Sequence, residues 1–263
     1  MGSAAVAAAR AVGYRSAGTV EFVLEPDGRF WFLEVNTRLQ VEHPVTEAVT
    51  GLDLVREQLR VASGQRLSVA QEDLSIDGHA IEVRLYAEDP AAGFLPATGT
   101  LVDFRPAREP DLRWDSGVVP GSTVAVEFDP MLAKVVAHAH TRDEAALRLA
   151  LGLERSRIRG VTTNRDFLVG LLRSRPYLDG DTTTDFIDRV APPLSRVPSL
   201  AEDRAAAVAV CLALRHRSRE SARVLRSLPA GWRNSVMPPE RVTLRRDGTD
   251  TTVEYRPGRD GRM

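Results

Sequence analysis

Six polar side chains crowd into two short stretches near the start of this 263-residue chain. In the run Glu34-Val35-Asn36-Thr37-Arg38-Leu39-Gln40-Val41-Glu42, polar residues stand at every second position from 34 to 42. Extended backbone turns alternate side chains to opposite faces, so Glu34, Asn36, Arg38, Gln40 and Glu42 would share one. Two acids, a guanidinium and two amides suit the holding of an anion beside a metal better than plain solvation. Just upstream, the runs Gly18 to Leu24 and Arg29 to Leu33 flank Pro26-Asp27-Gly28, and Asp-Gly is a two-residue hairpin signal. That register sets Glu21 opposite Glu34. Facing carboxylates repel unless a positive charge lies between them, which points to a bound cation. Hard divalent cations such as Mg²⁺ take oxygen ligands and leave positions for phosphates. The alternative is an ordinary amphipathic hairpin whose register slips by one residue. At about 3.3 Å per residue, a fully extended segment would hold Glu34 and Glu42 roughly 26 Å apart, so the chain is expected to curl after Asn36.

The elements that must position these groups can be read from periodicity. An Ala-rich helix from Ala4 to Ala11 ends near Gly13, and a second from about Leu52 to Ala62 places Leu54, Val55, Leu59 and Ala62 on one buried stripe. From Gly78 to about Arg189 the pattern becomes short strands broken by Gly and Pro, followed by helices. Thr141-Arg142-Asp143-Glu144 forms a capping box for a helix to about Ser156, and Asn164 caps another over Arg165 to Arg173. Strands followed by helices predict an α+β fold with an antiparallel sheet closing over the site. The run Ala191-Pro192-Pro193-Leu194-Ser195-Arg196-Val197-Pro198 reads as a linker, because repeated proline blocks helix and central strand alike. After it come a helix from about Leu200 to Leu214 or further, the run Leu228 to Asn234, and two short strands across Asp247-Gly248.

The stretch Gly18-Thr19-Val20-Glu21-Phe22, with Glu34 to Glu42 continued by His43-Pro44-Val45-Thr46-Glu47, resembles the biotin carboxylase branch of the ATP-grasp enzymes. Further landmarks of that family's C-terminal domain are Gly78-His79-Ala80-Ile81-Glu82-Val83-Arg84-Leu85-Tyr86-Ala87-Glu88-Asp89-Pro90, Phe94-Leu95-Pro96 and Phe128-Asp129-Pro130-Met131-Leu132-Ala133-Lys134. The resemblance runs from residue 3 to about 190. It implies the C-terminal part of an ATP-grasp domain over 1–75, a biotin carboxylase C-terminal domain over 76–190, and a linker with the start of a subunit-docking domain over 191–263. For the last, Gly231-Trp232-Arg233-Asn234 resembles the opening of the domain that joins biotin carboxylase to carboxyltransferase in acetyl-, propionyl- and methylcrotonyl-CoA carboxylase α subunits.

The resemblance also implies roles. Glu21 and Glu34, with Asn36, would ligate Mg²⁺ or Mn²⁺ on the phosphates of ATP. Arg38, Gln40 and the Val41 backbone would hold bicarbonate, and Glu42 would be the base that takes its proton, a task eased for a carboxylate in a partly dry site. Bicarbonate would then attack the γ-phosphate to give carboxyphosphate, a transfer run by positioning and charge neutralisation. Arg84 would stabilise the biotin enolate; without the resemblance it reads as a strand arginine paired with Glu82 or Glu88. Biotin would ride on a separate carrier domain. The implied partners are the N-terminal half of the enzyme, that carrier, a carboxyltransferase subunit and a second copy of the chain.

The same sequence also sets limits. Lys134 is the single lysine, and no glycine-rich phosphate loop occurs in the 263 residues. The chain therefore reads as a C-terminal piece, expected not to turn over ATP alone. A non-catalytic assembly module with inherited site residues is the competing reading. A net charge of −1 gives no pull toward nucleic acid or membrane. No apolar run reaches the ~18 residues of a membrane span, and the expected location is cytoplasmic. Cys211 reads as a buried thiol. His43 is expected to shape a turn, His79 to open a strand, and Asp129, Met131 and Lys134 to pack and pair.

Overall fold

The computed structural model describes residues 1–224, 235, 238–246 and 248–256. They belong to two compact units, Met1–Arg196 and Val197–Met263. In chain order the first contains α1 (Gly2–Ala11), β1 (Thr19–Leu24), β2 (Phe30–Asn36), α2 (His43–Thr50), α3 (Leu54–Ala62), β3 (His79–Tyr86), β4 (Glu88–Asp89), β5 (Leu95–Pro96), β6 (Gly99–Thr100) and β7 (Asp103–Arg105). It continues with β8 (Leu112–Ser116), β9 (Thr123–Val124), β10 (Met131–Ala139), α4 (Arg142–Arg155), β11 (Arg157–Arg159), α5 (Arg165–Leu172), α6 (Arg175–Leu178) and α7 (Phe186–Val190). The strand pairings are antiparallel, and the fold is α+β.

The β1–β2 hairpin has the expected Glu21–Glu34 pairing, reached by an unexpected route. Its turn runs over Glu25–Gly28, with the Gly28 N–H donating to the Glu25 carbonyl at 3.0 Å. Pro26 and Asp27 stand at the centre and Gly28 follows at φ +87°, so the turn is one residue longer than the Asp-Gly pair suggests. The ladder therefore starts one residue out of step, pairing Phe22 with Phe32, until a bulge at Leu33 restores the Glu21–Glu34 match.

The platform under the site is the three-stranded sheet β3-β10-β8. Along β3 burial alternates: Ile81, Val83 and Leu85 are buried, while Glu82, Arg84 and Tyr86 point the other way. The buried face of β3 and β10 packs on α4, where Ala145, Ala146, Leu149, Ala150 and Leu153 recur at helical spacing. The opposite face carries α2, whose Pro44 is fully buried. The capping box at Thr141 and Glu144 opens α4 as expected.

Two expectations about elements fail. In α3, Val55 and Leu59 are exposed at 43% and 66%, and the buried residue is Glu57. Its carboxylate accepts from the Ser68 hydroxyl at 2.6 Å and from the Ser68 N–H at 2.9 Å, so the helix is anchored by a polar clamp rather than an apolar stripe. Asn164 occupies the N-cap position of α5 without capping it. Its side chain accepts from the Tyr86 N–H at 3.0 Å and donates to the Arg84 carbonyl at 3.1 Å, pinning the end of β3.

In the second unit α8 spans Leu200–Glu220 behind a Ser199–Glu202 capping box, with Ala207 and Cys211 buried. Strands β12 (Glu240–Arg246) and β13 (Thr249–Tyr255) form a hairpin. The Leu228 to Asn234 run and Asp247 lie outside the described residues. Among the described residues, no helix is long and apolar enough to cross a membrane.

Candidate active site

The regular strand stops at Asn36, and the chain turns through residues 37–42 into α2. Pro44 in the first turn of that helix fits the position, where a backbone N–H has no intrahelical acceptor. The turn is held at Gln40, whose carbonyl lies 2.8 Å from His43 Nδ1. This bend returns Gln40 to Glu21, which faces Glu34 across the hairpin.

Glu21, Glu34 and Asn36 meet at one point. Asn36 Nδ2 donates to Glu21 Oε1 at 2.7 Å and to Glu34 Oε1 at 3.1 Å. Gln40 Nε2 also donates to Glu21 Oε1, at 3.2 Å. The amides thus stand where repulsion between the facing acids demands positive charge. Two carboxylate oxygens converging on one atom fit a small hard cation, and rotation of the Asn36 amide would present a third oxygen. Among the described residues no group of three His, Cys, Asp or Glu side chains could hold a metal. The remaining ligands would have to be substrate phosphate or water.

Glu21, Arg38, Gln40 and Glu42 line a cleft of about 890 Å³. Arg38 is exposed there; its nearest acceptor is the Leu39 carbonyl at a long 3.5 Å, and it pairs with no carboxylate among the described residues. Glu42 does not sit in a dry pocket: its side chain is 47% exposed and bonds Arg84 Nη2 at 3.0 Å. Arg84 therefore pairs with Glu42 across two segments, and not with Glu82 on its own strand or Glu88 on β4.

The sheet face adds groups that the sequence reading assigned elsewhere or passed over. Lys134 lies opposite Arg84 on one side and opposite Asp115 on the other. Its ammonium donates to the Val41 carbonyl at 3.0 Å and lies 3.5 Å from Asp115 Oδ2. Glu82 shares this face and has one buried carboxylate oxygen with no hydrogen-bond partner. Burial drives its carboxyl up to about 7, against the pull of Lys134 and Arg84. Strand register was the signal available: residues 82, 84 and 134 fall on one face once β3 and β10 are paired.

Comparison with known proteins identifies the family. Residues 82–189 match the family model for the biotin carboxylase C-terminal domain, and residues 1–70 match the ATP binding domain of carbamoyl-phosphate synthase L chain. Biotin carboxylase 2 of Bacillus subtilis is 46% identical over 187 residues, 71% of this chain and 42% of that protein. The mitochondrial methylcrotonoyl-CoA carboxylase subunit alpha of Rattus norvegicus is 40% identical, covering 99% of this chain and 38% of its own length. The chain thus spans less than half of either relative. Among solved structures, the biotin carboxylase domain dimer of Hydrogenobacter thermophilus 2-oxoglutarate carboxylase, in complex with MgADP, ADP and bicarbonate, superposes with a TM-score of 0.73 at 36% identity. That match covers 75% of this chain and 44% of the other. Over residues 1–70 and 82–189, the chain belongs to the biotin carboxylase family.

Proposed function

We propose that this chain supplies the metal-, bicarbonate- and base-bearing part of a biotin carboxylase, an ATP-dependent ligase acting within an acyl-CoA carboxylase. The observation that carries the reading is Arg38, a guanidinium without a carboxylate partner among the described residues, facing a cleft with Gln40 and Glu42. Arg38 and Gln40, with the Val41 backbone, bind bicarbonate, and Glu42 accepts its proton. Glu21, Glu34 and Asn36 would hold Mg²⁺ or Mn²⁺, which would supply charge neutralisation at the phosphates of ATP. Arg84 is shared between Glu42 and the biotin ring, where it stabilises the enolate. Biotin arrives on a separate carrier, and a carboxyltransferase subunit receives the product. Residues 1–75, 76–190 and 191–263 serve as ATP-grasp portion, C-terminal domain and docking segment.

On this reading the chain alone does not hydrolyse ATP, because the lysines and glycine-rich loop that cradle a triphosphate are not among its residues. The test has two parts. ¹³C-bicarbonate titrated into the purified chain should bind saturably, and Arg38→Ala should abolish that binding. Bicarbonate-dependent ADP release should stay at background. A rate that Glu42→Gln removes would overturn the inactivity of the isolated chain, while absence of Arg38-dependent binding would favour a non-catalytic assembly module.

A further inference from the structure

Lys134 is a costly residue to place where it is. Its side chain is only 13% exposed, and a buried ammonium needs strong acceptors close by. It has Asp115 at 3.5 Å, yet its shorter contact is the Val41 carbonyl at 3.0 Å. That carbonyl belongs to the peptide whose N–H is Glu42's, so fixing it fixes the plane from which the Glu42 side chain departs. The Glu42 carboxylate is held at its far end by Arg84, which stands directly opposite Lys134 in the ladder. Adjacent strands therefore grip Glu42 at backbone and carboxylate.

We propose that Lys134 is a positioning residue for the base: it clamps the Val41–Glu42 peptide to the sheet, so that the bicarbonate-facing backbone of Val41 and the Glu42 carboxylate share one fixed geometry. The inference rests on the reading of Arg38, Gln40, Val41 and Glu42 as a bicarbonate site. Asp115 flanks the ammonium and offsets its charge beside Arg84. Lys134 touches no substrate in this role and acts through the peptide.

The test uses the full chain and ¹³C-bicarbonate. Lys134→Met should weaken binding about tenfold or more, and Lys134→Arg, which keeps a charged donor, should stay within about threefold of the wild type. Without ligand, the ¹⁵N–¹H amide resonance of Glu42 should move in Lys134→Met and return toward its original position in Lys134→Arg. A merely structural lysine would not give that local, charge-rescued response. Should Lys134→Met fail to fold, Lys134→Gln replaces it, with a loss between the other two expected and wild-type affinity counting against the proposal. Arg38-dependent binding that Lys134→Met leaves unchanged overturns the clamp alone. Binding absent from the wild type, or unaffected by Arg38→Ala, removes the bicarbonate reading and the clamp with it.

Discussion

At the scale of single residues, contacts that serve folding separate from contacts that serve chemistry by their exposure. The Arg84 and Glu42 side chains are 44% and 47% exposed, and an ion pair so wet contributes at most about 1 kcal/mol to stability. Arg84→Ala should change the unfolding free energy in urea by less than that, and a loss of about 3 kcal/mol would mark the pair as structural. Glu82 behaves differently. Its carboxyl stands at about 7 in the fold because burial disfavours the charged form, above its unfolded value. The folded state then binds more protons than the unfolded chain between the two values, so stability falls as pH rises through about 4.5 to 7 and levels off above. Glu82→Gln should flatten that fall and leave the protein more stable near pH 8 by about 1 kcal/mol, after discounting the full shift for solvent screening. Urea titrations of both proteins at acidic and alkaline pH check it; an unchanged pH dependence would mean Glu82 titrates normally.

At the scale of elements, Asn164 is the joint between the helical layer and the site. It is 6% exposed and satisfies two backbone groups of β3 at once, one of them the carbonyl of Arg84. Asn164→Ala leaves both unpaired in a dry place and should destabilise the first unit by about 2–4 kcal/mol. Asn164→Asp, which keeps the acceptor for Tyr86 and loses the donor to Arg84, should fall between; equal losses for the two would contradict the joint. The sequence could place Asn164 at a helix start but could not show that its side chain turns away to a strand 78 residues distant. The hairpin was legible for a partly fortuitous reason: the longer turn and the Leu33 bulge each shift the register by one, and the shifts cancel at Glu21 and Glu34. Local capping at Thr141 was readable because both partners lie within one turn. The α3 stripe was not, because periodicity marks an apolar face without saying what covers it, and Glu57 found Ser68 instead. The pairing expected of Lys134 is present, with Asp115, but its second contact was hidden for the reason that hid the partners of Asn164. That second acceptor, Val41, is 93 residues away.

At the scale of the whole molecule, burial is uneven. Among the described residues, both clusters of buried apolar side chains, one around Leu149 and Val135 and the other around Leu85 and Leu132, lie between residues 81 and 172. A chain ending at Arg196 should therefore keep the main thermal transition of the full protein to within a few degrees, as calorimetry can show. The β1–β2 hairpin stands outside those clusters. Not one of its residues is buried, and Trp31, Phe32 and Leu33 are 57%, 61% and 57% exposed. A two-stranded ribbon without a packed face is marginal in water, and local opening follows from few buried contacts. Amides over 19–36 should exchange with solvent at least about a hundredfold faster than those of β3 and β10 in the isolated chain, read by mass spectrometry. The unmatched part of the longer biotin carboxylases, supplied separately, should slow exchange in the hairpin more than in β10 if it covers Trp31 and Phe32. Hairpin amides already as protected as those of β10 would show that β1 and β2 hold their form without such cover, and would place Glu21 and Glu34 on a rigid support.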